Sequence, residues 1–352
     1  MTRVALGVTL AVAGDDSGAM LRPTPAAQRT LPVVTPRRQQ AADSGGKDSA
    51  GNGSVRAEMR HVDFHIDSGI VLHIQRLRGT LAPIVPGKIP TLDDKRSFSL
   101  GIHSAEITID TTSLSILLNR HVFGYKGSPL KKLHVSTEGD QLVQTGVMHK
   151  GVDMPFRIRA TVGLTPDGRI RIHPTAVKLL GMGVTNAMKF FGVELGGLIK
   201  LQPGHGASID GNDFILDALE ILPPPRIRGR LTAITVGPGV ISQTFSPTPG
   251  QDVQPLRSLD AATPNYMYFR NGTLRFGKLT MADADLLIVD KDPTTVFDFS
   301  LDQYNDQLVA GYSNSTTALG LIVHMPDFWT LGRKLPSRAK TSVSKGAHTT
   351  KK

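Results

Sequence analysis

The sequence predicts an α+β, mainly β protein: a strongly curved antiparallel sheet wrapped around one or two amphipathic helices, with disordered N- and C-terminal tails. Three observations carry this. Long stretches alternate apolar and polar residues with the period of two that half-buries a strand. One segment, 110–125, breaks that alternation: Asp110, Thr111, Thr112 and Ser113 offer N-cap oxygens, and Leu114, Leu117, Leu118 and Val122 then recur at helical spacing. A second apolar, helix-like stretch, 185–201, follows after two hairpins. Two apolar helices inside an antiparallel β chain make an apolar groove more naturally than a polar catalytic cleft.

Taken in order, residues 1–54 read as a short signal-like segment followed by a Pro/Ala/Ser/Gly/Gln-rich disordered linker. Arg3, the apolar run from Val4 to Leu10 and Ala11-Val12-Ala13 resemble a secretory signal with its cleavage site. This points to the periplasm or cell envelope, with the cytoplasm as the alternative. A β domain over 55–246 then begins with alternation in 65–81, where Ile70, Leu72 and Ile74 share a face. The phase slips near 76–79, where Leu77 and Leu81 take over, which suggests a bulge. Phe98, Leu100 and Ile102 form the next strand, continued after another slip by Ile107 and Ile109. The helix near 111–123 ends at 124–129.

Two hairpins follow, 133–148 and 154–173. In the second, Thr165-Pro166-Asp167-Gly168 suits a turn with Gly168 in a left-handed position, pairing Thr165 with Arg169. That register sets Val162 opposite Ile172 and Leu164 opposite Ile170 on one apolar face. The helix near 185–201 carries Met188, Phe191, Leu195, Leu198 and Ile199 on one stripe, weakened by Gly192, Gly196 and Gly197. Asp210-Gly211-Asn212-Asp213 reads as a turn, 214–221 as a strand or a turn of helix, and 227–245 as β again. Residues 247–264 read as a linker, and 265–332 as a small β-rich module or a sheet extension. Within it, Asn271-Gly272 signals a hairpin that sets Phe269 against Leu274 and Met267 against Phe276. Further strands are expected at 286–289 and 320–324, and residues 333–352 form a basic disordered tail.

The formal charge of +10 resides in the ends. Of 40 Lys/Arg and 30 Asp/Glu, residues 1–60 hold eight and five and 333–352 hold seven and none, which leaves 25 of each between. A neutral body argues against a nucleic-acid module, which needs a basic face. The basic tail is either solvated or a peripheral contact for an anionic membrane surface. No cysteine is present, which excludes disulfides, thiolate metal sites and Cys nucleophiles.

No catalytic, metal or cofactor site is expected. His61 and His65 are four apart on a β pattern, where that offset spans far more than on a helix. Asp283, Asp285, Asp290 and Asp292 lack the Gly and distal Glu of a calcium loop. There is no Gly-x-Ser-x-Gly, and the glycine pairs at 181–183 and 204–206 lack the rest of a phosphate loop. Arg157, Arg159, Arg169 and Arg171 form a basic face, read either as an anion or lipid-headgroup patch or as the solvated side of a hairpin.

The order strand, amphipathic helix, β-meander, apolar helix, closing strands resembles the tubular lipid-binding (TULIP) superfamily, in particular bacterial LmeA-like phospholipid-binding domains. The residues concerned are Ile107-Thr108-Ile109-Asp110 running into Leu114, Leu117, Leu118 and Asn119; Pro129-Leu130 through Val135; and Gly146 through Met154-Pro155-Phe156. Thr165-Pro166-Asp167-Gly168-Arg169-Ile170 and 181–201 complete the set, so that about 62–245 is covered. The resemblance implies a sheet rolled around a helix with a lipid-accepting groove. Leu117, Leu118 and Val122, with Met188, Phe191 and Leu195, would line that groove, and the partner would be a lipid or other apolar small molecule in the cell envelope. The alternatives are a structural or adhesion-like envelope β protein with a filled core and, third, a hydrolase whose site has no sequence signature.

Overall fold

The computed structural model describes residues 53–179, 201, 204–251, 253–257, 259, 263–316 and 320–331, all within one compact unit, Asp48–Lys352. The expected helix at 185–201 and the two tails lie outside the described residues. The rest is mainly β. Three long strands, β1 (Val55–Asp67), β2 (Ile70–Pro83) and β3 (Phe98–Asp110), run antiparallel in chain order and form the middle of an eleven-stranded sheet. Their apolar residues change parity part-way. In β2 the buried set passes from Ile70, Leu72 and Ile74 to Leu77 and Leu81. The register against β3 shifts at the same place, between Ile74 and Arg76 and again between Arg78 and Gly79. A bulge returns the apolar side chains to the inner face after an extra residue.

β1 changes partner along its length. Residues Arg56 to Arg60 pair antiparallel with β13 (Tyr266–Arg270), whereas Val62 to His65 pair parallel with β17 (Phe297–Ser300). His61, between the two zones, has a left-handed φ of 48°. From β13 the sheet continues through β16 (Asp285–Asp290) and β19 (Gly320–Met325) to β18 (Tyr312–Thr316). The strands β13, β16, β17, β18 and β19 therefore extend the same sheet. On the other side, β12 (Val240–Phe245) pairs with β3 and with the edge strand β11 (Leu231–Gly237), and the short β10 (Arg226–Arg228) runs parallel to β3. The sheet is thus mostly antiparallel, with parallel pairs at β1–β17, β3–β10 and β16–β19.

A second, six-stranded sheet is antiparallel throughout, in the order β4-β5-β6-β7-β9-β8. It comprises β4 (Leu130–Glu138), β5 (Gln141–Lys150), β6 (Val152–Leu164), β7 (Ile170–Leu179), β8 (Ala207–Asp210) and β9 (Asp213–Leu216). The expected β6–β7 register holds: Val162 faces Ile172, Leu164 faces Ile170, and Gly168 turns at φ 83°.

The Asn271-Gly272 expectation does not hold. Both residues adopt the left-handed conformation, φ 63° each, yet no β13–β14 hairpin forms. Instead β14 (Thr273–Phe276) pairs with β15 (Leu279–Ala282), while β13 lies between β1 and β16, with Met267 against Ile288 and Phe269 against Leu286. Tyr266, Met267, Tyr268 and Phe269 are all buried, and two long apolar neighbours outweigh the local preference of a two-residue turn. The 247–264 segment is also not a free tether: Leu256 packs with Tyr266, Tyr268, Leu287 and Ile322 in a small apolar cluster apart from the main core.

The first helix forms where expected, as α1 (Thr111–Leu117) continued by a π-helical turn, Leu118–Val122. It packs against β2, β3 and β4. α2 (Tyr304–Ala310) follows β17.

Candidate functional site

The start of α1 is fixed by a single carboxylate. Asp110 Oδ1 accepts from the Thr112 and Ser113 amides at 2.7 and 2.8 Å, and Oδ2 accepts from the Ser113 hydroxyl at 2.7 Å. His73 lies 2.8 Å from Asp63 and 3.5 Å from Asp110. The hydrogen bond to Asp63, opposed by burial and reinforced by Asp110, raises the His73 imidazole above its ordinary value. Burial opposes ionisation of Asp110, but the bonds from Ser113, Thr112 and His73 outweigh it and lower its pKa.

Asn119, in the π-helical turn, binds the outer edge of β4. Its amide donates to Leu133 O at 2.6 Å and accepts from Leu133 N at 2.9 Å, as a neighbouring strand would. Ser115 Oγ accepts from Val135 N at 2.9 Å. The helix is thereby held against the edge of the second sheet, with Leu114 and Leu117 turned toward the space between the sheets. Gln307 of α2 does the same for β17, accepting from Ser300 N and donating to Asp298 O, each at 2.9 Å.

Between the sheets is an apolar cavity of about 60 Å³. The main sheet contributes Leu72, Ile102, Ile107, Ile109, Ile241 and Phe245. The second sheet contributes Leu142, Val162, Ile170, Ile172 and Leu216. The loop after β9 adds Ala218, Leu219, Ile221 and Leu222, and Gln243 is the one polar side chain among the described lining residues. Such a lining provides burial of apolar groups at about 25 cal/mol per Å². It offers no acid, base or nucleophile. The volume is well below the roughly 300–1,000 Å³ of typical small-molecule pockets, so a bulky guest requires the sheets to part.

Of the groove candidates, Leu117 lines this cavity and is 1% exposed, while Leu118 and Val122 are buried in the adjoining core. Met188, Phe191 and Leu195 lie outside the described residues. Ile234, Ile241, Phe245 and the 218–222 loop were not expected at the site. Their apolar alternation was legible in 227–245, but the sequence carries no signal for which sheet they would face.

The four candidate headgroup arginines all have carboxylate partners within the chain. Arg157 and Arg159 share Glu138, the latter at 2.7 Å; Arg169 pairs with Asp167 at 2.7 Å; and Arg171 lies 3.6 Å from Asp213. Their face is thus largely neutralised. His61 and His65 do not converge, and His65 hydrogen-bonds Asp298. Among the described residues no group of three His, Asp or Glu is arranged to hold a metal ion, and no helix is long and apolar enough to cross a membrane. No protein-family model, curated protein or solved structure matches this chain.

Proposed function

We propose that the protein binds a lipid or another apolar ligand between its two sheets, in the manner of the TULIP-like proteins it resembles, and that the cell envelope is its place of work. The observation that carries this reading is the cavity lining. Apolar side chains from both sheets and from α1 converge on one space with a single polar group among the described lining residues, Gln243. Each methylene of an acyl chain buried there would contribute about 0.8 kcal/mol, so a few suffice for useful affinity without a charged anchor. Arg157, Arg159, Arg169 and Arg171, being paired, are secondary to that apolar burial.

The test is native mass spectrometry with lipid extraction on the whole chain, beside a Val162→Trp variant. Val162 is a half-buried lining residue, so a larger side chain there fills the cavity from its edge at the roughly 1–3 kcal/mol of overpacking. The expected result is a bound lipid of defined stoichiometry in the parent, lost in a variant that still melts cooperatively. A clean apo mass with no uptake from liposomes would overturn the proposal. It would favour a structural envelope protein with a filled core, the reading to which the cavity's volume of about 60 Å³ lends weight.

A further inference from the structure

Along β1, β2, β3 and β12 the main sheet carries a groove of about 660 Å³, within the range of ligand pockets, whose lining meets that of the apolar cavity at Phe245. Its floor is a cross-strand ladder of charges. Glu58 pairs in register with Arg78, Arg60 with Arg76, and Arg76 with Glu106. Most of these charges are spent. Glu58, 5% exposed, accepts from Tyr266 Oη at 2.6 Å, from Leu256 N at 3.0 Å and from Arg78 Nε at 3.3 Å. Arg78 also donates to Val253 O at 2.8 Å, and Arg76 pairs with Glu106. Arg60 is the exception. It is exposed, has no carboxylate partner among the described residues, and stands directly opposite a second arginine, an arrangement that is destabilising in an empty sheet.

The backbone is irregular at the same place. His61 holds its left-handed φ of 48° beside Arg60, Gln75 is the extra residue of the β2 bulge, and the next shift follows directly after the Arg78–Ser104 pair. Coincident bulges of this kind re-aim side chains, and strain of this kind gathers at ligand sites. Here His61, Gln75 and Ser104 all line the groove beside the two arginines.

We propose that this groove is a binding site for the phosphate group of an organic phosphate, held between Arg60 and Arg76. The Arg60 guanidinium, unpaired among the described residues, the donors that Arg76 keeps beyond its pair with Glu106, and the Gln75 amide and Ser104 hydroxyl beside them suit the several oxygens of a phosphate, while the two carboxylates of the lining, Glu58 and Glu106, are each held by an arginine. A bound dianion would also relieve the Arg60–Arg76 repulsion. The site stands whether or not the cavity takes a lipid, since the two linings have only Phe245 in common and the charged residues belong to the groove alone.

The experiment is calorimetric titration of the whole chain at low salt with inorganic phosphate and with glycerol 3-phosphate. A parallel arm co-sediments the protein with phosphatidylcholine vesicles, with and without phosphatidic acid. The parent should bind saturably, and Arg60→Gln should weaken binding by about tenfold or more, as loss of a charge-assisted pair does. Its melting temperature should be unchanged or higher because a like-charge pair is gone. Arg76→Gln serves as a second variant, and Arg226→Gln, on β10 away from the groove, should bind as the parent does. Arg60-dependent binding of free glycerol 3-phosphate assigns a soluble ligand. Arg60-dependent capture by phosphatidic acid vesicles alone assigns a lipid headgroup. Absence of saturable binding in both arms, or binding by Arg60→Gln and Arg76→Gln equal to the parent's, overturns the site.

Discussion

The first turn of α1 depends on the Asp110 side chain. Four consecutive residues could have capped this helix by composition, but only Asp110 has the extended backbone of a cap, and its carboxylate reaches two amides and a hydroxyl. Asp110→Ala should cost about 1 kcal/mol, the usual worth of such a cap, read as a lower chemical-denaturation midpoint at unchanged slope. A second carboxylate works the other way. Asp290, 4% exposed, is pushed up to about 6 by burial first and then by the Asp327 carboxylate, against the hydrogen bond from the Asp292 amide. Its folded pKa lies above its unfolded one, so the folded state binds the extra proton between about pH 4 and about pH 6, and stability falls as pH rises through that window. Asp290→Asn should flatten that slope and melt higher than the parent near neutral pH, which thermal scans across the window would measure. The sequence set Asp290 apart only as one of four aspartates without a calcium loop; its perturbation comes from burial and from Asp327, which only the folded chain brings near.

Elements were legible where local chemistry and hydrophobic pattern agreed and nothing distant competed. The β6–β7 register followed from one turn and four apolar residues because β6 and β7 are each other's partners. Asn271-Gly272 shows the converse. The local conformation is as the dipeptide prefers, but β13 is taken on one edge by β1, some two hundred residues before it, and on the other by β16, beyond the β14–β15 pair, and a turn cannot outweigh them. The helix–edge contacts were equally invisible. Asn119 reads as an ordinary polar position on α1's flank, yet its amide satisfies both backbone groups of Leu133. Asn119→Ala should leave that pair unsatisfied or wet, at a cost of about 1–3 kcal/mol, with faster hydrogen exchange at the Leu133 amide while the β6–β7 amides stay protected. Uniform loss of protection across the sheet would refute a local role.

For the molecule as a whole, the decisive pairing is that of β1 with β13 and β17. Length and composition left open whether 265–332 is a separate module, and no periodicity argument could decide, since the partners of β1 lie some two hundred residues away. Met267, Phe269, Phe297 and Phe299 are each at most 1% exposed against this edge. At about 1.5–3 kcal/mol for each buried side chain, together they are worth about 6–12 kcal/mol, as much as the whole net stability of a typical domain. A chain ended after residue 264 should therefore lack a cooperative melt and elute as aggregate in size-exclusion chromatography; a monomeric, cooperatively melting fragment would refute this.

The same divided strand sets a timetable for synthesis. His65 and Asp298, which hydrogen-bond across β1 and β17, are 233 residues apart. At about 5–20 residues per second, a ribosome needs about 10–50 s to deliver the second after the first. Throughout that interval β1 has β2 on one side and a bare row of amides and carbonyls on the other, on a strand rich in Val, Met, Phe and Ile. Such an edge is a template for a neighbouring nascent chain. How long that edge waits is set by the spacing of its partner strands along the sequence, a demand on synthesis that is separate from the stability of the finished fold.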